Sequence, residues 1–85
     1  MNDKLEIFKK KMLYRASYRG TKEMDILLSS FVKKYIDKLN TEELIDLEKF
    51  LNYEDQVIND FYNYNIIKKK INLNKISAIF KSFKM

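Results

Sequence analysis

The sequence predicts a small all-α fold, a single-domain bundle of about five short helices, and three observations carry that expectation. Proline is absent and glycine occurs once in 85 residues, which removes the turn chemistry that β-sandwiches and barrels depend on. Apolar residues recur at steps of three and four in several separate stretches, as they do along one face of an α-helix. Cysteine and histidine are both absent, so neither disulfides nor the common zinc ligand sets can staple the chain and hydrophobic packing must hold it. With 46% hydrophobic and 14% aromatic residues, the chain is too apolar to remain disordered. One domain over residues 1–85 is expected.

The elements follow in order. Leu5, Phe8 and Met12 set the apolar face of a first helix over about residues 4–17. Met24, Leu27, Leu28, Phe31, Val32, Tyr35 and Leu39 form the clearest amphipathic stripe, a second helix. Asn40 and Thr41 interrupt it, and Asn40 with Glu43 has the spacing of a capping box that opens a third helix. Leu44, Leu47 and Leu51 line that helix, with Phe50 beside them; Asn52 and Tyr53 end it. Val57, Ile58, Phe61 and Tyr62 face one side of a fourth. Residues 63–72, rich in Asn and Lys, read as a connection. Leu73, Ile76, Phe80 and Phe83 make a final helix over about 73–83, with Asn72 as its cap. Short joints favour antiparallel neighbours, and the last helix is expected to be the first to detach. Met12 and Met24 read as core filler.

Charge is unevenly spread along the chain. Residues 1–22 carry seven basic and two acidic side chains, residues 23–62 four and ten, and residues 63–85 six and none. An acidic centre between basic ends is not the single basic face of a typical nucleic-acid binder. No apolar run approaches the roughly 20 residues of a membrane span, and the N-terminus lacks the pattern of a secretory signal, so a cytoplasmic location without membrane insertion is expected. Without His or Cys there is no Ser–His–Asp or Cys–His nucleophile system. Asp46, Glu48, Glu54, Asp55 and Asp60 read as solvated helix faces rather than as catalytic or metal-binding carboxylates. Phe61, Tyr62 and Tyr64 near Lys68–Lys70 resemble a base-stacking platform, but core packing explains them better. No enzyme activity is expected.

The informative cluster lies between the first two helices: Arg15, Tyr18, Arg19, Gly20, Glu23, Met24 and Asp25. The chain has fifteen lysines but only two arginines, and both fall here beside the single glycine. Lysine, Asn, Ile, Tyr and Phe are used as an AT-rich coding genome would use them, so the lysine runs at 9–11 and 68–70 carry little weight and the arginines more. One reading is structural. Gly20 ends the first helix in a left-handed conformation, the arginines complement that helix's last carbonyls, and Glu23 and Asp25 sit in the first turn of the next. The other is functional: guanidinium pairs bidentately or stacks on a ring where ammonium cannot, and glycine admits a close backbone. Both signs of charge around Tyr18 suit a protein–protein hot spot better than a phosphate cradle.

The run Tyr18-Arg19-Gly20-Thr21-Lys22-Glu23-Met24-Asp25-Ile26-Leu27-Leu28 resembles the Arg-Gly-x-x-Glu-[Leu/Met]-Asp signature of the succinate dehydrogenase flavinylation factors, small helical assembly proteins of bacteria and mitochondria. The resemblance continues through Leu44, Phe50-Leu51 and Asn52-Tyr53-Glu54-Asp55, where the family has an acidic segment after its third helix, and covers about residues 11–64. Gln56 stands where the family often has Pro after the acidic pair. Phe61 stands where it often has Trp, which keeps an apolar anchor but loses the indole donor.

The resemblance implies an assembly chaperone, not a catalyst. Such a factor binds the flavoprotein subunit of succinate dehydrogenase, or of fumarate reductase, and promotes covalent attachment of FAD to a histidine of that subunit. It favours one arrangement of the client by differential affinity. FAD then belongs to the client and is not bound stably by this chain, which is expected to act as a monomer. By carry-over Arg19, Gly20, Glu23 and Asp25 meet the client, with Arg15 and Tyr18 in support and Glu54 and Asp55 as secondary docking residues. Alanine at Arg19 or Glu23 is expected to leave the fold intact and lower flavinylation. The alternative is a small basic helical nucleic-acid-binding or antitoxin-like protein.

Overall fold

The computed structural model describes residues 3–64 and 71–84. Each predicted stripe becomes a helix: α1 Asp3–Ser17, α2 Lys22–Tyr35, α3 Thr41–Leu51, α4 Asp55–Tyr64 and α5 Lys75–Ser82. Caps written into the sequence fix where they start. Thr21 opens α2 by accepting the Met24 N–H on its hydroxyl at 3.2 Å. Asn40 and Glu43 form the anticipated capping box, Asn40 Oδ1 accepting from Glu43 N at 2.8 Å and Glu43 Oε1 from Asn40 N at 2.9 Å. This pairing satisfies two backbone donors that a helix start otherwise leaves orphaned.

Four expectations change. The second stripe is not one helix to Leu39: the chain tightens into a 3-10 turn at Ile36–Lys38, and Leu39 is extended. The cap of α5 is Asn74 rather than Asn72, because Ser77 three residues later closes a second capping box, with bonds of 3.1 Å to Asn74 Oδ1 and 2.9 Å from Asn74 N. Leu73, expected on the buried face of this helix, precedes it and is exposed. Of the connection expected at 63–72, Asn63 and Tyr64 still belong to α4, Ile71 and Asn72 lie outside regular structure, and 65–70 lie outside the described residues.

Packing joins α1 to α2 and α3, and places α5 against both α3 and α4. The core is one cluster that draws on all five helices, including Met12, Leu28, Phe31, Val32, Leu44, Leu47, Leu51, Ile58, Ile76 and Phe80. A radius of gyration of 12.3 Å matches the roughly 12 Å of a packed chain this long. Met12 and Met24 are buried as expected.

The last helix is not peripheral. Phe80 is fully buried and its ring lies 5.0 Å from Phe31, 5.0 Å from Phe50 and 4.9 Å from Tyr62. Edge-on and tilted pairs of this kind add about 0.5–1.5 kcal/mol each beyond area burial. Lys81 donates to the terminal α4 carbonyls of Phe61 at 2.8 Å and Tyr62 at 3.0 Å, while Tyr62 Oη donates to Phe83 O at 2.6 Å. A cation on the orphan carbonyls at a helix C-terminus is favourable for both hydrogen bonding and the dipole. These bonds lock α4 and α5 together. Phe61 and Tyr62 thus serve the core and its seams, and only Tyr64 of the three aromatics is largely exposed.

Candidate functional site

Residues 18–21 join α1 to α2, and the turn they form is anchored from three sides. Arg19 is the main strut. Its side chain is only 10% exposed, and the guanidinium donates Nη1 to Leu51 O at 2.8 Å, Nη2 to Tyr53 O at 2.8 Å and Nε to Asp55 Oδ1 at 2.7 Å. One planar fork therefore closes the C-terminal end of α3, follows the chain through its break and reaches the first residue of α4. An ammonium has no such fork. The structural reading had assigned this arginine to carbonyls of the first helix; it serves the third instead.

Two carboxylates hold the backbone. Asp25 accepts the N–H of Arg19, and Asp55 Oδ2 accepts the N–H of Gly20 at 2.6 Å. Both of these successive backbone donors are thus taken up by the protein's own side chains. Gly20 is not in the left-handed region. A Cβ there would come within 2.8 Å of Asp55 Oδ2, so the residue is small because a carboxylate sits against it, and the left-handed helix cap considered from the sequence is not formed.

The outward side of the turn has a different character. Tyr18 is 71% exposed and stacks on Tyr14 with ring centroids 4.5 Å apart. Gly20, Thr21, Lys22 and Glu23 are exposed, and among the described residues the Glu23 carboxylate has no hydrogen bond or ion pair. Arg15 is half-buried and approaches Glu48 Oε2 at 3.9 Å, a loose pairing. Glu54 is exposed beside Asp55. A groove of about 300 Å³ runs between α2 and α4, lined by Thr21, Glu23, Met24, Asp55, Gln56 and Asn59. Gln56, in the place of the family's frequent proline, donates to Asp60 at 2.8 Å.

The eight candidate residues therefore lie around one turn but divide by environment. Tyr18, Gly20, Glu23 and Glu54 face solvent; Arg19, Asp25 and Asp55 bond inward; Arg15 lies between. Alanine at Glu23 touches no described bond, whereas alanine at Arg19 removes three. The expectation that the Arg19 change spares the fold does not fit these contacts. Sequence reading passed over Thr21, the cap of α2, although a threonine followed three residues later by Met24 at the head of an apolar stripe marks that start. The Leu51 and Tyr53 carbonyls left no signal, since backbone acceptors carry none. Among the described residues, no three or more acidic side chains are grouped to hold a metal ion, and no helix is long and apolar enough to cross a membrane.

Comparison with known proteins gives this arrangement its context. The FAD assembly factor SdhE of Acetobacter pasteurianus is 37% identical over 59 residues, which is 69% of this chain and 54% of that protein. Succinate dehydrogenase assembly factor 2-B, mitochondrial, of Drosophila ananassae is 39% identical over 51 residues, 60% of this chain and 31% of that protein. Succinate dehydrogenase assembly factor 2, mitochondrial, of Saccharomyces cerevisiae (strain YJM789) is 39% identical over 54 residues, 64% of this chain and 33% of that protein. The chain thus spans about a third to a half of the length of these curated relatives. The model of the family described as flavinator of succinate dehydrogenase matches residues 10–84, a longer span than the 11–64 legible from the signature, and it takes in α5. By that match the chain belongs to the succinate dehydrogenase flavinator family.

Proposed function

We propose that this protein is a non-catalytic assembly chaperone that docks on the flavoprotein subunit of succinate dehydrogenase through the α1–α2 turn and promotes covalent attachment of FAD to it. The observation that carries this reading is the two-sided turn of a family member. Its inner side is fixed by Arg19, Asp25 and Asp55, and its outer side presents Tyr18, Gly20 and Glu23 to solvent. A rigid aromatic and an unpaired carboxylate on a pre-shaped backbone lose little freedom on association, which favours a protein partner. FAD stays with the client, and the chain acts as a monomer in the cytoplasm before the enzyme complex is built.

Glu23→Ala tests this directly, because it removes an outward group and no internal bond. Co-expressed with the client subunit, the variant should melt within about 0.5 kcal/mol of the parent and give weaker in-gel flavin fluorescence. Equal fluorescence at equal expression would count against docking through this turn.

A further inference from the structure

Asp55 lies 35 residues from Gly20 in sequence, yet its carboxylate is split between the signature's arginine and its glycine. Oδ1 accepts from Arg19 Nε at 2.7 Å and Oδ2 from Gly20 N at 2.6 Å. The side chain is 25% exposed, and each of its oxygens is engaged by the α1–α2 turn. Because Asp55 opens α4 and Arg19 also grips the end of α3, this one carboxylate references the turn to two other helices.

We infer that Asp55 is a positioning residue for client docking: it does not meet the client but sets where the Gly20–Glu23 segment is presented. The inference rests on the docking role proposed above. Its chemistry is specific. A carboxylate offers an acceptor oxygen to each of two donors, whereas an amide offers one oxygen and turns an N–H₂ toward the other donor. Asparagine therefore has to release either Arg19 or Gly20. A longer acid is no equivalent either, since its extra methylene carries both oxygens away from the positions at which Asp55 accepts from Arg19 Nε and Gly20 N. Glu54, the adjacent exposed acid, has no described bond to the turn and plays no such part.

The test is a double-mutant cycle of Asp55→Asn and Glu23→Ala, read as affinity for the purified client flavoprotein subunit, with amide NMR of the free chain. Asp55→Asn should shift the Gly20 amide resonance and speed its hydrogen exchange while the amides of α2 and α3 keep their protection. It should weaken client binding about tenfold, and Glu23→Ala should weaken it as well. Residues acting through one another are not additive, so the double variant should bind within about threefold of the weaker single. Losses that multiply would show Asp55 touching the client by itself, and an unmoved Gly20 amide or unchanged affinity in Asp55→Asn would also overturn the inference. Unchanged affinity in Glu23→Ala would instead sink the docking role beneath it. Should Asp55→Asn fail to fold, Asp55→Glu enters the same cycle: full affinity there would mean that charge alone is needed, and a non-additive loss would support positioning.

Discussion

Replacing Arg19 by lysine separates the shape of this side chain from its charge. The guanidinium makes three charge-assisted hydrogen bonds, to Leu51 O, Tyr53 O and Asp55 Oδ1, all between 2.7 and 2.8 Å, from a side chain that is 10% exposed. A lysine ammonium placed near Asp55 keeps the ion pair but cannot also span both carbonyls. Two bonds to a charged donor are then lost, each worth about 1.5–3 kcal/mol. Tyr53, in the break between α3 and α4, is half-exposed and water can replace part of the loss, which places the cost near the lower bound, about 3 kcal/mol. For a domain of this size that corresponds to a fall of roughly 12–24 °C in Tm, out of a total stability of about 4–13 kcal/mol. Urea unfolding followed by far-UV circular dichroism measures it, with the midpoint shifting and the slope m unchanged. Arg15→Lys, at a 3.9 Å pairing, is the control and should cost less than about 0.5 kcal/mol. A loss below about 0.5 kcal/mol for Arg19→Lys would show that the fork is not made in solution, and the view of the turn as internally braced would fall with it.

Gly20→Ala places a methyl 2.8 Å from Asp55 Oδ2. The carboxylate should move aside and free the Gly20 N–H, lowering client flavinylation proportionately more than Tm; equal proportional losses in gel fluorescence and melting would mean that only stability is at stake. Phe80→Ala removes the ring shared by Phe31, Phe50 and Tyr62 and should cost about 3–5 kcal/mol, seen as loss of near-UV dichroism; a cost under about 1 kcal/mol would make α5 peripheral after all. Glu43 is held below the ordinary carboxylate value of 4.5 by the hydrogen bond from Lys75, then by the backbone bond from Asn40, with the Lys75 charge adding and burial opposing. Its folded pKa is depressed, so its contribution is complete above the unfolded value and fades as pH falls through the folded one. Glu43→Gln should therefore lower the urea midpoint at neutral pH and flatten its decline on acidification; an acid limb identical to the parent's would refute the assignment.

Local rules made much of the fold legible. Helix periodicity located all five helices, and the Asn40–Glu43 box formed as spaced. The misplacement of the last cap came from two asparagines two positions apart, Asn72 and Asn74, of which only Asn74 has Ser77 at the reciprocal distance. The centrality of α5 was hidden for a different reason. Nothing local in Phe80 states that Phe31 and Phe50 converge on it from two other helices. The candidate site divides the same way. The concentration of both arginines beside the lone glycine marked the turn, but which way each side chain points depends on partners 32 to 36 residues distant, beyond the reach of any spacing rule.

The stitching between Lys81, Tyr62 and Phe83 has a practical corollary for anyone wishing to shrink this protein. The stretch that holds the recognisable signature ends before α5, and a minimal peptide cut there would look complete on paper. It would strip the lid from Phe31 and Phe50, leave the final turn of α4 without its cationic clasp, and so loosen the base on which Asp55 stands. Whatever the turn offers to another molecule is thus underwritten by residues that never approach it.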